Sequence, residues 1–352
     1  MLQSGDRVGL FVVESEIGVG STSMVYRVRH PDEGVRALKV LALPHPEIHR
    51  RMLQEGRLQS ALRHHNIVRV FDLLDVDGCL GLVLEYVEGP SLEAWMQEVD
   101  APLTVRDQLA RQIVAAVAHA HRAGLIHRDL KPANILLRQD DRGTWVPKVT
   151  DFGLAKVMGA GPQPTDTRTG HALGTPRYMS PEQIRDAKHV DATADVYALG
   201  CVLYELYCGE HTFPQGDMLG VFNAVCDGDW RDPLEVAPEL PERVTEALRA
   251  ALSLSPDDRP PDAEALLQML EDRPLSTQKT QIFQRHLAVE IDPDPTEPEP
   301  GPGPGPGPEP PAPGRGWMAF MASISLGATV GLGVGVLLIG IVAVIVWWLG
   351  SW

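Results

Sequence analysis

Between Asp292 and Pro313 the sequence interleaves proline first with acidic residues and then with glycine. Asp292-Pro293-Asp294-Pro295 leads to Gly301-Pro302-Gly303-Pro304-Gly305-Pro306. Such a run has too few apolar side chains to offset the entropy of ordering its backbone, so it cannot fold alone. Collagen is excluded, because glycine recurs every second residue instead of every third. Residues 273–316 are therefore expected to form a disordered, acidic, Pro/Gly-rich linker, extended by about 3.1 Å per residue where proline dominates. Of the 352 residues, those with mixed, globular composition precede it. They suffice for one large or two medium domains. Residues 1–10 are expected as an N-terminal tail to this body.

After the linker, no charged residue occurs from Trp317 to Trp352. A bilayer core needs about 20 apolar residues, so 317–352 is expected to be a membrane anchor with its core span at about 326–349. Trp317 at one end and Trp347, Trp348 and Trp352 at the other suit the two interfaces. Arg315 on the linker side places the body in the cytoplasm by the positive-inside bias. The expected location is the cell (inner) membrane, single-pass and tail-anchored. Gly327, Gly331 and Gly335 recur every four residues, a stripe that permits close helix approach and a homodimer. The N-terminus lacks a signal-peptide profile. A formal net charge of −16 argues against nucleic acid as a partner. Cys79, Cys201, Cys208 and Cys226 form no CxxC pair, which points to reduced thiols and not to zinc or disulfides.

Within the body, His127-Arg128-Asp129-Leu130-Lys131-Pro132-Ala133-Asn134 is followed by Asp151-Phe152-Gly153, the two aspartates standing 22 positions apart. One carboxylate can receive a hydroxyl proton, a lysine can hold a moving phosphate, and an amide with a second carboxylate can ligate magnesium. Upstream, the β-rich run from Val8 to Ile17 ends in Gly18-Val19-Gly20-Ser21-Thr22-Ser23 and continues as strand through Val25-Tyr26-Arg27-Val28. Glycines between two strands let backbone N–H groups approach phosphate. A dinucleotide fold would need a helix directly after them, so that reading fails. Val35 to Val40 alternates as a strand carrying Lys39, and the helix-like segment from Pro46 to Leu62 contains Glu55. A strand lysine held by a helix carboxylate is suited to the α- and β-phosphates of a nucleotide.

Together these motifs resemble a eukaryotic-type protein kinase of the bacterial serine/threonine branch, over about residues 11–272. The resemblance implies an α+β, two-lobed fold, with a small β-rich lobe at about 11–85 and a larger helical lobe at about 86–272. It implies ATP with Mg²⁺ (or Mn²⁺) and protein substrates bearing serine or threonine, the chain itself included. By the same resemblance Asp129, Lys131 and Asn134 are catalytic, and Asn134 and Asp151 hold the metal. The nucleotide would contact Ile17, Gly18, Gly20, Val25, Ala37, Lys39, Glu55, Glu85, Val87, Leu136 and Asp151. Leu84 to Val87 would be the hinge. Lys131 and Thr175 are similar to serine/threonine rather than tyrosine kinases. Arg128, Thr167, Thr169 and Thr175 would be regulatory, with phosphorylation of Thr167 and Thr169 ordering the loop before Glu182. Glu182 would meet Arg259, and Asp195 would brace the catalytic loop. Three positions depart from the pattern: Ser23 replaces a loop glycine, Gln59 an apolar residue, and Ala133 is not acidic.

Overall fold

Apolar side chains fall on both faces of the β-rich part, and this decides what must cover it. The computed structural model describes residues 2–20, 23–41, 56, 59–152, 175–185 and 190–271. Six strands, β1 (Arg7–Val8), β2 (Phe11–Val19), β3 (Ser23–His30), β4 (Gly34–Leu41), β5 (Val70–Val76) and β6 (Cys79–Glu85), form one antiparallel sheet. Their order is β1-β2-β3-β4-β6-β5. In β4, Ala37 and Leu41 join Val70, Leu80, Leu82, Leu84 and Val87 in one cluster. Leu38, the alternate residue, joins Tyr26, Val28 and Val83 in another. Two apolar faces need two covers.

The second face is covered by the start of the chain, which corrects the expectation of a tail. Val8 and Phe11 are buried in that cluster and Leu2 packs against it. The Gly5 N–H donates to the Val13 carbonyl at 2.9 Å, and the Val13 N–H to the Asp6 carbonyl at 2.9 Å. Residues 2–10 therefore belong to the sheet's packing. The Leu2 N–H also meets the Tyr26 hydroxyl at 3.3 Å.

After Glu85 the structure turns mainly helical. Helices α1 (Leu92–Glu98), α2 (Leu103–Arg122), α3 (Pro181–Arg185), α4 (Ala192–Cys208), α5 (Met218–Asp227), α6 (Pro233–Val236), α7 (Glu242–Ala251) and α8 (Ala263–Leu270) build it among the described residues. The organising element is α4. Apolar nearly all round, it is buried from Ala192 to Tyr207 apart from Thr193 and Glu205. Asp191 caps its start by accepting from the Thr193 N–H, and Gly209 at φ 75° ends it in the left-handed region. The apolar side of α2 packs into the same core.

One small hairpin, β7 (Ile135–Gln139) with β8 (Trp145–Val149), sets the site. Ile135 pairs with Val149, and the Thr150 N–H donates to the Asn134 carbonyl at 3.0 Å. The segment before β7 and the segment after β8 are thereby brought side by side. Among the described residues no helix is long and apolar enough to cross a membrane. Residues 273–352, where the linker and span are expected, lie outside the described residues.

Candidate active site

Asp195, in the first turn of α4, is buried and accepts three hydrogen bonds. Its Oδ2 takes the His127 N–H at 2.7 Å and the His121 Nε2 at 2.9 Å, and its Oδ1 takes the Arg128 N–H at 2.8 Å. The His121 Nδ1 accepts from the Ala263 N–H, so Nε2 carries the ring proton and donates. Burial alone would push the Asp195 carboxyl up, but the bonds from His121 and the Arg128 backbone bring it below its ordinary value. Arg128 sits at φ 69°, an uncommon conformation for a residue with a side chain. Its guanidinium donates to the Val190 carbonyl at 3.2 Å. His127 stacks on Phe152 with ring centroids 4.7 Å apart, and its Nε2 meets the Thr150 carbonyl at 2.8 Å.

On this braced backbone the polar groups converge. The Lys131 Nζ lies 2.9 Å from the Asp129 Oδ2. The Asn134 Nδ2 donates to the Asp129 carbonyl at 2.7 Å and to its Oδ2 at 3.1 Å, which leaves the amide oxygen of Asn134 as a donor for a cation. Asp151, directly after the hairpin and at φ 66°, accepts the Lys39 ammonium at 2.7 Å. An ammonium from β4 and two carboxylates and an amide from the hairpin's ends thus face one region. Hard oxygen donors of this kind suit a divalent cation carrying phosphates.

The expected nucleotide contacts divide between those placed together and those outside the description. Ala37 and Val87 are buried in the cluster against which Val25 and Leu136 pack. Ile17 is exposed at the rim, and a Cβ added at Gly18 would stand 3.7 Å from the Val25 Cβ. The Gly20 N–H donates to the Ser23 carbonyl at 2.7 Å, so Ser23 closes the glycine turn through its backbone. The Glu85 N–H is committed to the Arg69 carbonyl at 2.8 Å, and its carboxylate takes the buried Lys148 ammonium at 2.7 Å. Glu55, the expected partner of Lys39, and Thr167 and Thr169 lie outside the described residues. Gln59, at the position expected to be apolar, is buried and its amide donates to the Phe152 carbonyl.

At the end of the stretch between Asp151 and Glu182, expected to be the regulated activation segment, Thr175 begins a short 3₁₀ turn to Tyr178. Arg259, its side chain fully buried, grips Glu182 in a fork: Nη1 to Oε1 at 2.6 Å and Nη2 to Oε2 at 2.9 Å. Arg259 also donates to the carbonyls of Ser253, Thr193 and Leu254. Burial would raise the Glu182 carboxyl, and Arg259's bonds and charge bring it below its ordinary value.

Sequence reasoning missed three supporting residues. Lys148 lies in an otherwise apolar strand, the same signal that singled out Lys39. His121 and Gln183 carried no local signal of this role, because each finds its partner far along the chain.

The protein kinase domain model matches residues 11–270. The chain belongs to the protein kinase family. It is 35% identical to serine/threonine-protein kinase PkaA of Streptomyces coelicolor over 71% of this chain and 47% of that protein. It is also 35% identical to tyrosine-protein kinase MasK of Myxococcus xanthus, over 65% of this chain and 37% of that one. The chain thus spans about half the length, or less, of these relatives. The crystal structure of the Mycobacterium tuberculosis PknI kinase domain superposes with a TM-score of 0.60 at 26% identity, covering 77% of this chain and 99% of that one.

Proposed function

We propose that this chain is a serine/threonine protein kinase, transferring the γ-phosphate of ATP to hydroxyls of proteins, itself included. The observation that carries the reading is the convergence of Asp129, Lys131, Asn134, Asp151 and Lys39 at one hairpin and one strand. Asn134 and Asp151 would hold Mg²⁺, with Mn²⁺ as the alternative cation. The cation supplies charge neutralisation of the phosphates. Asp129 orients the acceptor hydroxyl and takes its proton at a carboxylate oxygen. Lys131, beside it, stabilises charge on the phosphate in flight. Lys39 anchors the nucleotide phosphates with the ammonium donors that its contact with Asp151 leaves over. Val25, Ala37, Val87 and Leu136 exclude water around the base. Positioning and charge do the work, since a loose phosphoryl transition state asks little of base strength.

Incubating the full chain with Mg·ATP and mapping phosphosites tests this, with Asp129→Asn as control. Transfer by wild type and none by the variant is expected; equal labelling of both would end the proposal. A tyrosine acceptor is the second reading, favoured by the likeness to MasK. Lys131 two places after Asp129 and Thr175 favour serine and threonine, and phosphoamino-acid analysis decides. Phosphorylation of Thr167 and Thr169 is the proposed switch; a fully active double alanine variant removes it.

The proposed location is the cytoplasmic face of the cell membrane. The support is the charge-free stretch 317–352 after a linker that cannot fold. Recovery of the full chain in the soluble fraction, with no detergent needed, would refute this. The Gly327/Gly331/Gly335 stripe would pair two copies and raise their effective concentration for trans-phosphorylation. Unchanged self-association of Gly331→Ile would reject the pairing.

A further inference from the structure

Gln183, on the short helix α3, spends its whole side-chain amide on two partners. Its Oε1 accepts from the Ser180 N–H at 3.0 Å and from the Ser180 hydroxyl at 3.2 Å. Its Nε2 donates to the Arg128 carbonyl at 3.0 Å, across 55 residues of sequence. Ser180 is fully buried, so the Oε1 side of the amide is fixed and the Nε2 side is aimed.

The carbonyl it reaches belongs to the peptide plane that carries Asp129. The other polar group of that plane, the Asp129 N–H, donates to the His127 Nδ1 at 3.3 Å. Gln183 and His127 therefore hold the two ends of one peptide unit. A turn of that unit not compensated at the Arg128 Cα would swing the Cα–Cβ bond of Asp129. The plane needs holding, because Arg128 sits at φ 69°. A side-chain-bearing residue keeps such a conformation only where its surroundings over-determine it. Asp195 fixes the N–H of Arg128. Nothing on α4 reaches its carbonyl, and Gln183 supplies that constraint from the activation segment. The adjacent Glu182 is locked to Arg259, so α3 itself is anchored to the helical core.

We propose that Gln183 is a positioning residue for Asp129: it passes the placement of the end of the activation segment to the catalytic carboxylate. This rests on the kinase reading above. The amide chemistry offers a sharp test. In Gln183→Glu the two Ser180 donors still meet a carboxylate oxygen. Where Nε2 faced the Arg128 carbonyl, however, a second oxygen now stands, and like partners repel. The substitution thus removes the bond to the catalytic loop while keeping the bonds within the segment.

The full-length chain, wild type and Gln183→Glu, is assayed for phosphate transfer from Mg·ATP to a generic protein substrate. A fluorescent ATP analogue titrates competent nucleotide sites, so that any unfolded fraction is subtracted. We expect kcat per competent site to fall at least 10-fold, with KM for ATP within about twofold and one nucleotide bound per chain. Ser180→Ala, which leaves the Arg128 bond in place, should lose less than threefold. Gln183→Glu with wild-type kcat would overturn the proposal while leaving the kinase reading intact. A rise in KM for ATP with kcat unchanged would overturn it too. If Gln183→Glu does not fold, Gln183→Met removes the bond without opposing oxygens; the same kcat loss is expected, and full activity overturns. A wild-type chain that binds nucleotide yet transfers no phosphate would overturn the kinase reading, and this proposal with it.

Discussion

Replacing Asp195 with asparagine tests the bracing of the catalytic loop most severely. The carboxylate serves three donors: the His127 N–H and His121 Nε2 on one oxygen, the Arg128 N–H on the other. An amide cannot serve all three. With its NH₂ toward the histidines it opposes two donors, and flipped it opposes one. The lower limit is thus one lost bond to a buried charged acceptor, about 1.5–3 kcal/mol. The surviving bonds lose the charge that roughly doubled their strength, on the order of 1 kcal/mol each. The sum is about 3.5–5 kcal/mol, which at roughly 2–4 °C per kcal/mol for a domain of this size lowers the melting temperature by about 7–20 °C. The pH dependence follows from the depressed carboxyl of Asp195. A carboxyl lowered on folding stabilises above its unfolded value of about 3.9, and the contribution is lost as pH falls through the folded value. The gap between wild type and variant should therefore stay constant from pH 6 to pH 8 and narrow only in acid. Circular-dichroism melts across that range measure it. A shift under about 2 °C at neutral pH, or a gap that changes between pH 6 and 8, would refute the three-donor account.

Three further outcomes can be measured directly. Lys39→Met removes the ammonium at Asp151 and should cut phosphate transfer about 100-fold or more, the scale of losing one positioned charge at a reacting centre; activity within tenfold of wild type in a radiolabel assay contradicts it. Arg259→Ala strands Glu182 half-buried and should cost about 3–5 kcal/mol in urea unfolding; a loss below about 1 kcal/mol would show the fork to be idle. Gly89→Ala places a Cβ on the Leu137 carbonyl at a φ of 152°, so the turn after the hinge must shift. A loss of about 2–4 kcal/mol and weaker nucleotide binding are expected, and a variant as stable as wild type argues against that close approach.

The groups proposed to react could be singled out in the sequence because each is fixed by its immediate neighbours. Asp129, Lys131 and Asn134 share one loop, and Asp151 follows one strand. Lys39 stood out as a charge in an apolar strand. What was not legible is pairing at a distance. Residues 2–10 read as a tail because the strand run beside them fits a sheet with one wet face equally well. Only the second apolar face, built from Tyr26, Val28, Leu38 and Val83, demands that they return. Likewise the local pattern Ser180-Pro181-Glu182-Gln183 marks Gln183 as a helix-capping residue and gives no sign of its bond to Arg128.

The catalytic backbone of Arg128 illustrates why that distinction matters. Its N–H, carbonyl and guanidinium go to Asp195, Gln183 and Val190, which come from α4, from α3 and from the segment leading into α4. Each contact alone is worth about 1–3 kcal/mol net, the same range as the cost of the left-handed conformation it stabilises. Jointly they leave the peptide no relaxed alternative, since releasing any one still leaves two buried partners to be unpaired. A short motif can therefore announce which atoms react. The precision with which they are held is a property of three elements meeting, and part of it resides in residues such as Gln183 and Val190 that lie outside the loop naming those atoms.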